Sequence, residues 1–129
     1  QSGAPGTIWS PFNGVTWTHE GTDLPAVGRT RHRAVVHGGR MWITGGELGG
    51  TFFPQGDTWY SSDGITWTQQ LAGSPEFSER ASHGFASHAG KLWIYGGDGV
   101  DLEIGSHDLF WSLEGTDWRY RYHNLIEIP

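Results

Sequence analysis

The chain has 129 residues, one domain's worth, and its 14 acidic against 8 basic side chains give a formal charge of −6. That balance argues against a nucleic-acid role, because the short runs RTRHR (29–33) and RYR (119–121) are the sole basic clusters. With no cysteine, disulfides, thiol catalysis and cysteine-bound zinc are excluded, and no apolar run approaches the roughly 18 residues of a membrane-spanning helix.

The 21 glycines and 8 tryptophans suggest tight turns and large flat apolar anchors rather than a helical bundle. Residues 1–6 (QSGAPG) have nothing to pack and are expected to form a flexible lead-in. Short β-prone runs at 8–10 and 15–18 flank Asn13-Gly14, a strong hairpin signal. A loop is expected over 20–28. A second hairpin joins 31–36 to 40–44 through His37-Gly38-Gly39. Residues 45–56 then read as a long glycine-rich connection carrying Phe52 and Phe53. A third hairpin pairs 57–61 with 65–69 about Ser62-Asp63-Gly64, and 71–79 is again a loop. A fourth pairs 82–87 with 92–95, and a fifth pairs 108–113 with 117–122 about Glu114-Gly115. The tail is apolar enough at Leu125, Ile126 and Ile128 to dock. No stretch of eleven residues carries a helical period, so the expectation is an all-β chain of about ten strands in five hairpins.

Two stretches of the chain are variations on one another. Residues 29–67 superpose without gaps on residues 80–118 at a shift of 51. Arg29 falls on Arg80, His32 on His83, His37 on His88, and Trp42 on Trp93. Likewise Gly45 and Gly46 fall on Gly96 and Gly97, Asp57 on Asp108, and Trp67 on Trp118. The opening segment repeats only the end of the unit, with Gly14 and Trp17 placed fifty residues before Gly64 and Trp67. A period of some fifty residues with four short strands is a propeller-blade signature.

These motifs (R-x-x-H, then H-x-G-(R/K)-x-W-I-x-G-G, then D-x-(W/F) and a closing G-x-x-W) resemble the kelch repeat, in a bacterial-looking variant whose outer hairpin reads WYSSDGITW. The resemblance divides the single domain into a trailing half-blade at 7–20, full blades at 29–70 and 80–122, and a docked tail at 123–129. It departs from the usual pattern at Trp42 and Trp93, where tyrosine is commoner, and at the first hairpin, which lacks the twin glycine and aspartate. The resemblance implies a toroid whose loop faces bind other molecules. Most such propellers bind proteins, and a smaller set related to galactose oxidase carries chemistry.

Physical readings accompany each repeated residue. The twin glycines permit dihedrals and close approaches that a side chain penalises. Trp42, Trp67, Trp93 and Trp118 fit between neighbouring sheets. Arg29 with Asp57, and Arg80 with Asp108, read as a repeated ion pair or as aspartate caps on loop amides. Equivalent histidines in different repeats would converge only near an axis, so each is expected to bond a loop carbonyl, and no metal site is assigned. The segment 98–103 spaces three carboxylates, yet lacks the closing ligands of a calcium loop. No serine or threonine sits in a nucleophile-elbow setting, and galactose-oxidase-like copper chemistry would need the missing cysteine. No catalytic residue and no cofactor is assigned.

Two and a half blades leave a sheet flank open. The expectation is therefore a homo-oligomer or the remainder of a larger propeller, joined through a flank of Leu109, Trp111, Leu125, Ile126 and Ile128. The start at Gln1 fits a chain processed or cut from a longer one. An extracellular or periplasmic setting is favoured. The leading functional reading is a non-catalytic module recognising protein partners. A carbohydrate-binding lectin is the alternative, with Trp9, Trp59, Phe110 and Trp111 as stacking aromatics beside Glu47 and Asp98. A glycan-acting enzyme comes third.

Overall fold

The computed structural model describes residues 5–6, 9–11, 17–19, 24–27, 29–48, 54–70, 79–99 and 108–121. These residues form antiparallel sheets and no helix. In chain order the strands are β1 (Pro5–Gly6), β2 (Trp9–Pro11), β3 (Trp17–His19), β4 (Leu24–Val27) and β5 (Arg29–Thr30). There follow β6 (Arg33–His37), β7 (Arg40–Thr44), β8 (Glu47–Leu48), β9 (Thr58–Ser61) and β10 (Thr68–Gln69). The last are β11 (Gly84–His88), β12 (Lys91–Tyr95), β13 (Leu109–Ser112) and β14 (Arg119–Arg121).

Each full repeat is one four-stranded meander, β6-β7-β9-β10 in the first and β11-β12-β13-β14 in the second. Local chemistry explains each hairpin. The β6–β7 turn holds Gly38 at φ 60° and Gly39 at φ 74°, the double left-handed conformation that matches the right-handed strand twist. In the second repeat Ala89, at φ 53°, takes the first of those positions. Trp42 Nε1 donates to His37 O at 2.9 Å, and Trp93 Nε1 donates to His88 O at 3.0 Å, pinning both hairpins alike. In the β9–β10 turn, Asp63 Oδ1 accepts the Ile65 and Thr66 amides at 2.8 and 2.9 Å. Those amides hold the Asp63 carboxyl below its ordinary pKa.

Three expectations change on contact with the structure. The lead-in is not free at its end, since Pro5–Gly6 pairs with Leu24–Val27 inside the stretch read as a loop. The connection after Gly46 is not all loop, because Glu47–Leu48 pairs with Arg29–Thr30. The described strands number fourteen rather than about ten. The two added pairings are too short to leave a periodic pattern, and each joins segments distant in sequence. The hairpin of β2 and β3 forms with Trp9 opposite His19.

The two meanders stack face to face around one core. Val35, Trp42 and Tyr60 share a face of the first meander by register. They pack on Phe85, Leu92, Ile94, Phe110 and Trp118 of the second. Trp42 is 2% exposed, and Leu92, Ile94 and Trp118 are fully buried. Gly115 lies beneath Trp42: a methyl group built there would stand 2.8 Å from the ring. Burial of these rings from water supplies the main stabilisation of the stack.

Candidate functional site

The seam between the two meanders gathers most of the polar residues that the repeat singles out. Behind it lies a pair of matched clamps. Arg29 donates to both carboxylate oxygens of Asp57 at 2.7 and 3.0 Å and to Gly45 O at 3.0 Å. Arg80 does the same to Asp108 at 2.8 and 3.0 Å and to Gly96 O at 2.8 Å. The arginine side chains are 4% and 0% exposed. Burial works against ionising Asp57, but hydrogen bonds from Arg29 and Trp59, with the Arg29 charge, hold its carboxyl below the ordinary value. Matched geometry in both repeats marks these pairs as scaffold that fixes the start of one strand against the end of another.

Across the seam the backbone is stitched by Gly46 N to Arg80 O at 2.9 Å and Ser82 N to Arg31 O at 2.9 Å. Side chains reinforce it. Arg33 Nε donates to His83 O at 2.8 Å. His37 bridges Ser87 Oγ at 2.8 Å and Leu113 O at 2.9 Å. A carbonyl can only accept, so Nε2 carries the proton there. Gln70 Nε2 donates to Glu114 O at 3.2 Å.

His37 thus bonds a loop carbonyl and His32 makes a backbone hydrogen bond with Arg29, whereas the buried His83 departs from that expectation. Neither ring nitrogen of His83 meets a hydrogen-bond partner, nor does Nδ1 of His32, among the described residues. Burial, then the charges of Arg80, Arg33 and His32, pushes the His83 pKa down to about 4, so the ring is neutral near pH 7. Burial and the charges of Arg29 and Arg33 lower that of His32 as well.

At the rim, the structure brings two predicted ligand residues onto one guanidinium. Arg31 donates to Glu47 Oε2 at 3.2 Å and to Asp98 Oδ2 at 2.7 Å, while its Nε reaches Ser82 Oγ at 2.6 Å. Glu47 and Asp98 are equivalent positions of successive repeats. Sequence reasoning missed Arg31 as the group that unites them. One signal was available, since Arg31 falls on Ser82 and so breaks the repeat. Arg31 and Ser82 both sit at positive φ, 60° and 55°, a strained conformation for such residues.

The predicted stacking aromatics do not converge. Phe110 is 8% exposed and belongs to the core, so it offers no ring to a ligand. Trp59 shares a face with Ala34 and Ile43, on the far side of the first meander, and its Nε1 donates to Asp57 Oδ2 at 2.8 Å. Trp111 lies on the opposite outer side of the stack, on the free face of the second meander. Trp9 lies in β2. Of the expected flank, Leu109 is half-buried, while Leu125, Ile126 and Ile128 lie outside the described residues. The same is true of Phe52, Phe53 and the segment 100–103. Among the described residues no group of three His, Asp or Glu side chains could hold a metal ion. Nor is any described helix long and apolar enough to cross a membrane.

The free face of the second meander is the most distinctive surface. Register aligns Ala86, Trp93, Trp111 and Arg119 across its four strands. The Trp93 and Trp111 ring centroids are 6.4 Å apart. Lys91 Nζ sits 5.2 Å and the Arg119 guanidinium 5.6 Å from the Trp111 ring. Tyr95 extends the patch at 44% exposure. Beside it opens a hollow of about 210 Å³, lined in part by Trp111, Glu114, Asp117 and Arg119. No protein-family model matches the chain, and no curated protein matches it.

Proposed function

We propose that this chain is a non-catalytic binding and assembly module of kelch-like propeller blades, and that the Trp93–Trp111 face is its contact surface. One observation supports the reading above others. The Trp93–Trp111 face is the positional twin of the Val35–Trp42–Tyr60 face, which the first repeat buries against the second. Even the cation stacking recurs, since Arg40 lies 4.5 Å from the Tyr60 ring where Lys91 lies over Trp111. A sheet face that is core in one repeat and open in the next is built to be covered by protein. Its occupant is a further sheet, supplied by an oligomer or by the rest of a larger propeller.

Light scattering over a concentration series tests this. A species heavier than 14.3 kDa that falls to that mass on Trp111→Glu is the expected outcome. Association that is indifferent to Trp93 and Trp111 overturns the reading, and a lone 14.3 kDa species at every concentration removes the oligomer as the occupant.

A lectin reading has one observation in its favour, the hollow that sets Trp111 beside Glu114, Asp117 and Arg119. An indole flanked by hydrogen-bonding side chains suits the apolar face and hydroxyls of a sugar ring. Titrating neutral oligosaccharides while following the Trp111 indole N–H by NMR tests it. No shift at millimolar sugar removes it.

A further inference from the structure

The internal seam has two sides, and the chain carries a second, less covered version of each. The side given by the second repeat is the back of its sheet, with Leu92, Ile94 and Trp118 around Gly115. The equivalent back of the first repeat is Met41, Ile43 and Trp67 around Gly64. It is only partly covered: Ile43 is buried at 8%, but Val36 is 67% and Met41 37% exposed, and Trp67 is half-buried where Trp118 is fully covered. The other side of the seam, the Trp42 face, recurs uncovered as the Trp93 face. Resting on the contact surface proposed above, we propose that its occupant is a second copy of this chain, docked head to tail with the back of its first repeat on Trp93 and Trp111.

The internal seam supplies the template for the contact. Trp93 is already held in the posture of Trp42 by its bond to His88 O, so no ring need reorient on docking. Its counterpart beneath would be the partner's Gly64, the position of Gly115. His88 stands where His37 does. Its carbonyl acceptor would come from the partner's Ser62, while the hydroxyl that Ser87 gives His37 is replaced by Val36. Two straps are missing, since Gly84 stands in the place of Arg33, whose side chain ties the internal seam to His83 O. Ser82 occupies the place of Arg31, so no guanidinium spans this seam to a pair of carboxylates. The contact is therefore weaker than the internal one and reversible. Because the two surfaces differ, the interface is heterologous, and it grows until a ring closes.

A complementation experiment separates this from other modes of association. Trp93→Glu spoils the front and leaves the back, whereas Met41→Glu spoils the back and leaves the front. Tyr95→Glu and Val36→Glu, at more exposed positions, repeat the pair with less risk to folding, which far-UV circular dichroism checks. Wild type is expected to associate, each variant alone to run at 14.3 kDa, and an equimolar mixture of a front and a back variant to give a one-to-one heterodimer. If the back variant alone still associates while the front variant does not, the contact is front to front. The head-to-tail inference then fails while the contact surface stands. If wild type is monomeric throughout, the head-to-tail inference fails, and if the front variants associate as wild type does, both fail.

Discussion

Trp42 and Trp93 occupy the same place in successive repeats and make the same hydrogen bond to a histidine carbonyl, at 2.9 and 3.0 Å. They differ only in what lies over them. Trp42 is 2% exposed beneath the second meander, whereas Trp93 stands half-buried on a free face. The mirror contrast holds on the other side, where Trp118 is fully buried and Trp67 is not. Identical local chemistry thus yields a core residue in one repeat and a surface residue in the other. What distinguishes core from free surface here is the neighbour rather than the residue.

The sharpest way to break that comparison is to truncate each ring. Trp42→Ala and Trp118→Ala should each cost about 3–5 kcal/mol, with Trp67→Ala and Trp93→Ala costing about 1–2 kcal/mol in the dissociated chain. Urea melts at low concentration measure this. Equal losses within each pair would mean that burial does not separate them.

The ion pairs offer the opposite case, in which the repeats should behave alike. Asp57 and Asp108 are 20% and 17% exposed, and each faces a buried arginine. Asp57→Asn and Asp108→Asn are each expected to cost about 3–4 kcal/mol, since each strands a guanidinium. A difference above about 1 kcal/mol between the two would end their equivalence.

Acid should act through His83 before it acts through the aspartates. A histidine whose folded pKa lies near 4, against an ordinary 6.5, binds a proton more readily when unfolded. Its contribution is whole above about pH 6.5 and falls away as pH drops toward 4, reaching about 3 kcal/mol. His32, also lowered, adds to the same trend. The depressed Asp57 contributes above its unfolded pKa and is lost only below that window. Melts of His83→Leu should lose much of the slope between pH 4 and 6.5. A slope unchanged from wild type would show that His83 is not the group titrating.

The smallest contrast is between two glycines at positive φ. A methyl on Gly90 meets open space, but one on Gly45, at φ 66°, would meet His83 and stand 2.6 Å from Arg80 O. Gly90→Ala should cost about 1 kcal/mol and Gly45→Ala at least about 2 kcal/mol, read by thermal melts. Equal costs would mean that the seam can shift to admit the methyl.

Hairpins were legible because their signals are local. His37-Gly38-Gly39 and Ser62-Asp63-Gly64 carry their turn conformations in adjacent residues, and short β-prone runs stand beside them. The strand pairing of Glu47–Leu48 with Arg29–Thr30 was not legible, since two residues leave no period. Phe110 and Trp111 are neighbours of similar character, and both could be read as exposed. Register turns the first into the core and the second outward. Arg31 escaped notice because its partners lie 16, 51 and 67 residues away, and nothing near it in sequence names them.

By itself, the sequence determined the period of 51, the all-β character, and which residues are equivalent, including the arginines and aspartates that recur at matched sites. These are properties of spacing and side-chain type, which a repeat states twice. Tertiary structure alone decided that Glu47 and Asp98 share one guanidinium, that the buried His83 ring has no hydrogen-bond partner among the described residues, and which member of each tryptophan pair is covered. Burial and cross-seam bonds depend on the surface brought opposite. A repeat records the same residue twice, but stacking gives its two copies different neighbours.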